Sequence, residues 1–263
     1  MNTHTLGLVT RVSACLVLGF LALPILIIFP LALSPSEYLT FPPQGFSLRW
    51  LEAVLESPDW RDSIWLSFKI ALGSTVLAVI LSVLAALALV RGRFKLKQIV
   101  YALILLPMIV PNIISAIAMF FFFADKGGVF GSTVAIIIGH AVIALPIAII
   151  ILSSTLQGVD SRLENAALSL GANRFTAFRR ITLPLIAPGI ASACIFAFLS
   201  SFDELLIAMF MAGSTAQTLP VRIWNSVLFQ LDPTIAAVSA LLVIVSVLAL
   251  LAANLFARRG ARA

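Results

Sequence analysis

The sequence predicts an all-α, polytopic membrane protein with six transmembrane helices and one short helix on the cytoplasmic side between spans four and five. Three observations lead there. The 263 residues are 61% hydrophobic and only 11% charged, with a mean hydropathy of +1.12, against about 25% charged residues in ordinary soluble domains. Uncharged runs of spanning length recur along the chain, and the basic residues between them fall mostly on alternate loops. The chain reads as a single transmembrane domain over residues 1–263, without internal repeat, low-complexity tract or soluble module.

A helix crossing the hydrocarbon core needs about 20 apolar residues. Runs at 12–33, 70–90, 99–124, 131–156 and 235–257 qualify, and a sixth at 189–213 is apolar except for Asp203 and Glu204. The first run is longer than the roughly 7–15-residue apolar core of a signal peptide, so it is expected to be retained as a span. With six spans, one set of loops holds Arg11, Arg91, Arg93, Lys95, Lys97, Arg162, Arg174, Arg179, Arg180, Arg258, Arg259 and Arg262, twelve of the 17 basic residues. The other holds Arg49, Arg61, Lys69, Lys126 and Arg222. The richer side is predicted to be cytoplasmic, with both termini inside. The pI near 10.0 is thereby explained by membrane-surface charge, since no basic stripe of the kind that grips nucleic acid is present.

The outer segment 34–63 contains Leu48, Leu51, Val54 and Leu55 at helical spacing, which predicts an amphipathic helix lying on the membrane or lidding the bundle. A second outer segment, "GSTAQTLPVRIWNSVLFQLDP", is long enough for another short helix. Cys15 and Cys194 are far apart in apolar runs and are read as small buried apolar residues. His140 is a lone histidine, better suited to helix packing than to a metal site, which wants several ligands. Pro107 and Pro111 lie four apart in the third span and predict a kink with freed carbonyls, beside Asn112 as a candidate pathway residue.

The cytoplasmic loop 157–188 is the most informative segment. In "DSRLENAALSLGA", Ser161 and Glu164 fit a capping box, and Leu163, Ala166, Ala167 and Leu170 form an apolar face. Gly171 suits a helix stop in the left-handed conformation. "NRFTAFRRI" then forms a second turn or helix carrying Arg174, Arg179 and Arg180, and Pro184 and Pro188 are expected to reset the chain before the fifth span.

This loop resembles the cytoplasmic signature of permease subunits of binding-protein-dependent ABC importers, Glu-Ala-Ala…Gly…Ile-x-Leu-Pro. Ala166 and Ala167 are the two alanines. Gly171 follows Asn165 by six positions, and Ile181, Leu183 and Pro184 stand ten, twelve and thirteen beyond the glycine. The signature glutamate falls on Asn165, with Glu164 adjacent, so the chain departs from the pattern there. The resemblance implies that residues 161–171 are a coupling helix seated on a cytoplasmic ATPase, with Glu164, Asn165, Ala166, Ala167 and Gly171 as the contact set. It further implies a dimer of ATPase subunits holding ATP and Mg, a second and related permease, and an extracytoplasmic solute-binding protein, in the bacterial inner membrane. The chain itself is expected to bind no cofactor and to catalyse no reaction. None of its four lysines follows glycine, as a phosphate-binding P-loop requires.

Asp203 and Glu204 sit past the middle of the fifth span. A charge at the bilayer centre costs about 2.5–3.5 kcal/mol on insertion scales, so both are expected to face the bundle interior, water or a partner. They flank a substrate pathway or form a structural pair bonded to a neighbouring helix or to His140. In a pathway, acidic groups favour a cationic solute. The runs "SFDELLIAMFMAG" and "TLPVRIWNSV" and the outer "FSLRW" look like the second permease of spermidine/putrescine importers, and importers for opines, ferric iron, thiamine or phosphonates are similar. An ion-coupled secondary carrier, using Asp203 and Glu204 as its ion site, is the alternative. A membrane enzyme built on His140 has too few polar groups at one depth.

Overall fold

The computed structural model describes residues 3–124, 130–212, 217–229 and 232–260. Lys126, Arg262 and the expected end of the fifth span at Gly213 lie outside them. The described residues are helical, in the order α1 (Thr3–Ala32), α2 (Arg49–Glu56), α3 (Pro58–Arg91), α4 (Lys97–Ile109), α5 (Asn112–Ala124), α6 (Thr133–Gln157) and α7 (Ser161–Ser169). There follow α8 (Arg174–Ala177), a π-helical turn (Phe178–Thr182), α9 (Leu183–Phe202), α10 (Leu206–Met211), α11 (Leu219–Phe229) and α12 (Thr234–Gly260). Four stretches are long and apolar enough to cross a membrane: Thr10–Ala32, Pro58–Arg91, Thr133–Gln157 and Arg174–Phe202. Helices α4 and α5, bent by 103° to one another, pass the same test only when taken together, which makes at most five among the described residues.

The chain divides into two compact units. In residues 1–61 with 223–247, the segment after α1 is tied down by Ser47 N–H donating to the Leu33 carbonyl at 2.7 Å and by the Trp50 indole donating to the Ser36 carbonyl at 3.0 Å. The expected outer helix is α2, and of its apolar positions Val54 is buried while Leu48 and Leu55 are exposed. Helix α11 occupies part of the second outer segment, as its composition suggested. Cys15 is exposed rather than buried, because α1 packs few residues against its own unit, and Cys194 is half-buried; both are free thiols.

The second unit, residues 62–222 with 248–263, has its core along α6 and α9. Ala141, Ala144 and Ala148 on α6 meet Ala193 and Ala197 on α9 in one buried cluster. Between apolar helices in lipid, association rests on close van der Waals contact, and small residues permit it. Gly189 is the tightest point. A Cβ placed there would lie 2.3 Å from Thr155 Oγ1 and 2.8 Å from Thr155 Cβ, and Thr155 is held by its own bond to the Ile151 carbonyl at 2.8 Å.

The structure corrects three expectations about the spans. The second starts at Pro58, twelve residues before the predicted Ile70, because a proline is well placed at a helix start and Asp59 stands in the first turn; Lys69 is thus inside the helix, its ammonium 5.4 Å from the Trp65 ring centre. The third is broken rather than kinked, since Val110 adopts the extended conformation that a following proline favours. Pro184 and Pro188 do not reset the chain: the helix runs through both. The π turn explains this at Pro184. There Leu183 N–H donates to the Phe178 carbonyl, five residues back, and the widened turn precedes a residue that has no N–H to donate.

Replacing Gly189 by alanine is expected to force α6 from α9 and cost about 1–3 kcal/mol, whereas Gly19→Ala, whose Cβ meets nothing within 4 Å, leaves stability unchanged. Unfolding midpoints of the two purified variants in detergent check this.

Candidate functional site: the α7 loop and the broken helix at Asp203

Helix α7 is the short helix read from 161–171. Its N-cap is Asp160, whose carboxylate accepts from Arg162 N–H at 2.9 Å. The expected Ser161–Glu164 capping box does not form, because the helix begins one residue earlier relative to Glu164 and that carboxylate is engaged elsewhere. Glu164 accepts from Arg91 Nε at 3.3 Å, from Arg91 Nη2 at 3.1 Å and from the Thr182 hydroxyl at 3.0 Å. Arg91 Nη2 also donates to the Val159 carbonyl at 2.8 Å. One carboxylate therefore joins the last residue of α3, the loop helix and the π turn that leads into α9. Sequence spacing marked Arg91 only as a loop cation, and Thr182 carried no signal, since this contact spans 18 residues.

The helix ends as Gly171 predicts. Its φ is +90°, Gly171 N–H donates to the Leu168 carbonyl at 3.0 Å and Ala172 N–H to the Ala167 carbonyl at 3.0 Å. This is the paired bond pattern of a Schellman stop. A Cβ at Gly171 would meet nothing within 4 Å, so glycine is required by backbone conformation and not by space. The apolar face of α7 is left open: Leu163 is 48% and Leu170 89% exposed, with Phe175 beyond them at 70%. No residue of α7 is buried. Asn165 and Ala166 are exposed and Ala167 is half-buried.

The fifth span is interrupted where its two acids fall. Helix α9 stops at Phe202 with Asp203 as its C-cap, and α10 starts at Leu206. Asp203 and Glu204 are therefore not two positions on one continuous helix, as the sequence reading placed them. Glu204 is buried, and its Oε1 accepts from the first two amides of α10, Leu206 N–H at 2.9 Å and Ile207 N–H at 3.1 Å. Its Oε2 accepts from Asn112 Nδ2 at 3.4 Å. Asn112 is the first residue of α5, just past the other break. Two of the three pathway candidates are thus brought together, and the third, Asp203, is exposed. His140 does not bond to either acid. Its Nδ1 lies 2.8 Å from the Ser201 hydroxyl, and among the described residues no group of three metal-ligating side chains occurs.

Residues 78–261 match the family described as the binding-protein-dependent transport system inner membrane component. The chain belongs to this family. The spermidine/putrescine transport system permease protein PotC of Escherichia coli is 29% identical over 241 residues, covering 91% of this chain and 90% of the relative. The putrescine transport system permease protein PotI of the same species is 32% identical, covering 86% and 83%. The molybdenum transport system permease protein ModB of Mycobacterium bovis is 33% identical, covering 76% and 80%. Among solved structures, a bacterial alginate ABC transporter in complex with an alginate pentasaccharide-bound periplasmic protein is similar, with a TM-score of 0.74 at 17% identity, covering 97% of this chain and 94% of that one. The fold is therefore that of an ABC transporter membrane subunit, and the relatives are permeases rather than enzymes.

Truncating Arg91 to alanine is expected to cost about 1–2 kcal/mol, the worth of a hydrogen bond to a charged group reduced by partial solvent exposure. The side chains of Arg91 and Glu164 are 25% and 20% exposed. A double-mutant cycle with Glu164→Gln, read by chemical unfolding, should return a coupling of about 1 kcal/mol.

Proposed function

We propose that this permease is one of two related membrane subunits of an ATP-driven importer for polyamines such as spermidine and putrescine, in the bacterial inner membrane. It crosses six times with both termini inside. α7 is its coupling helix, docking on an ATPase dimer that holds the ATP and Mg, while a solute-binding protein delivers substrate from outside. The observation that carries this reading is α7 itself, a rigidly stopped helix whose Leu163, Ala166 and Leu170 face is open while its other side is pinned to α3 and the π turn through Glu164. A push on that face reaches the start of α9 and the end of α3 through fixed bonds. The bound site set is Glu164, Asn165, Ala166, Ala167 and Gly171 on the loop, with Asn165 in place of the family's glutamate.

The substrate class rests on the polyamine permeases among the relatives and on Asp203, Glu204 and Asn112 in the apolar span. An unpaired carboxylate at that depth is tolerated beside water or a partner, which suits a pathway formed next to the second permease. The molybdenum relative makes an oxyanion importer the second reading, and acids in the span argue against it because they repel an anion. An ion-coupled carrier would need no docking helix.

Gly171→Trp is expected to leave the chain in the membrane, since the position is open, and to uncouple ATP hydrolysis from uptake. Spermidine uptake and ATPase rates in proteoliposomes of the assembled transporter read this directly; normal uptake would overturn the coupling-helix assignment. Asp203→Asn should lower spermidine uptake about ten-fold with unchanged protein abundance, the loss of one attraction worth roughly 1.4 kcal/mol. Parallel losses of uptake and abundance would return Asp203 to a structural role, and molybdate uptake in place of spermidine would overturn the substrate class.

A further inference from the structure

The side of α7 that carries Ser161, Glu164 and Leu168 lines a cavity of about 760 Å³. Arg93, Lys97 and Arg174 also line it, together with Arg91, Glu164 and Asn165. Arg91 and Glu164 neutralise one another. Among the described residues no carboxylate pairs with Arg93, Lys97 or Arg174, so the cavity holds three uncompensated positive charges. Its depth is set by the helices that frame it. Arg91 ends the apolar α3 and Lys97 begins the apolar α4, which places the cavity where a spanning helix meets the headgroup layer.

A second cavity of about 570 Å³ adjoins the first, sharing Val90 and Lys97. It is lined further by Leu89, Gln98, Tyr101, Ser153 and Gln157. Ser153 is buried, and its hydroxyl has no partner among the described residues. A basic chamber beside one lined by amides, a phenol and an unsatisfied buried hydroxyl matches a phosphate ester: the phosphate in the first, its polar glycerol ester groups in the second.

We propose that these joined cavities bind the phosphate headgroup of an anionic phospholipid from the cytoplasmic leaflet, behind α7. Basic pockets between spans on this side suit such headgroups. The lipid would bridge the α3–α4 turn, α7 and α8, and so stiffen the support of the docking helix. A free inorganic phosphate would satisfy the basic chamber alone and leave Ser153, Gln98 and Gln157 without a role.

The test is native mass spectrometry of the transporter purified with its accompanying subunits, delipidated and titrated with phosphatidylglycerol. The wild type is expected to hold one phosphatidylglycerol per copy of this chain after bulk lipid is removed. Arg93→Gln with Arg174→Gln should weaken it about ten-fold or more, and Ser153→Val about three-fold. Arg179→Gln with Arg180→Gln removes the same charge from residues that do not line the cavity, and should change affinity less than two-fold. Should the double variant fail to assemble, the Ser153→Val titration still decides the matter. Equal affinity in all variants, equal loss in both charge-matched pairs, or displacement of the lipid by millimolar inorganic phosphate would each overturn the proposal. So would retention by the isolated chain but not by the complex, which would assign the cavity to the protein partner.

Discussion

Where a helix breaks inside an apolar segment, its freed amides and carbonyls must find partners within the protein, because lipid supplies none. Glu204 meets that demand at the break in the fifth span. Its carboxylate takes the two leading amides of α10 with one oxygen and the Asn112 amide with the other. Two broken helices, α4–α5 and α9–α10, are thereby joined at their interruptions, and α10 packs beside α5 and α6 in a second buried cluster that includes Ile136, Ile207 and Met211. A buried carboxylate with three donors is at its least costly, so the acid that composition singled out as an anomaly is also what permits the break.

The same logic recurs at α7 with a different outcome. Glu164 collects Arg91 and Thr182, and what it secures is orientation. With the helix stop at Gly171 it holds α7 so that its apolar face stays uncovered. Exposed leucines on a short polar-flanked helix are unfavourable for an isolated chain and natural for one that is seated in a larger assembly.

Between these two carboxylates runs the α6–α9 seam, built of alanines and Gly189 against Thr155. The π turn at Phe178–Thr182 lets α8 continue into α9 across Pro184, so the loop and the span are one mechanical element rather than two hinged ones.

The sequence by itself determined the membrane class, the whole α7 segment with its glycine stop, and which polar residues were out of place in apolar runs. Those features are local: run length, helical spacing and a left-handed glycine act within a dozen residues. It also located Asp203, Glu204 and Asn112 as a group, but not their arrangement. Only the tertiary structure decided that the fifth span breaks at Asp203, that Glu204 turns inward while Asp203 is exposed, and that Glu164 bonds to Arg91 and Thr182 instead of capping its own helix. Those outcomes depend on donors 73 and 92 residues away, and a carboxylate's partner is chosen by which donors packing brings within about 3 Å, a choice that spacing along the chain does not encode.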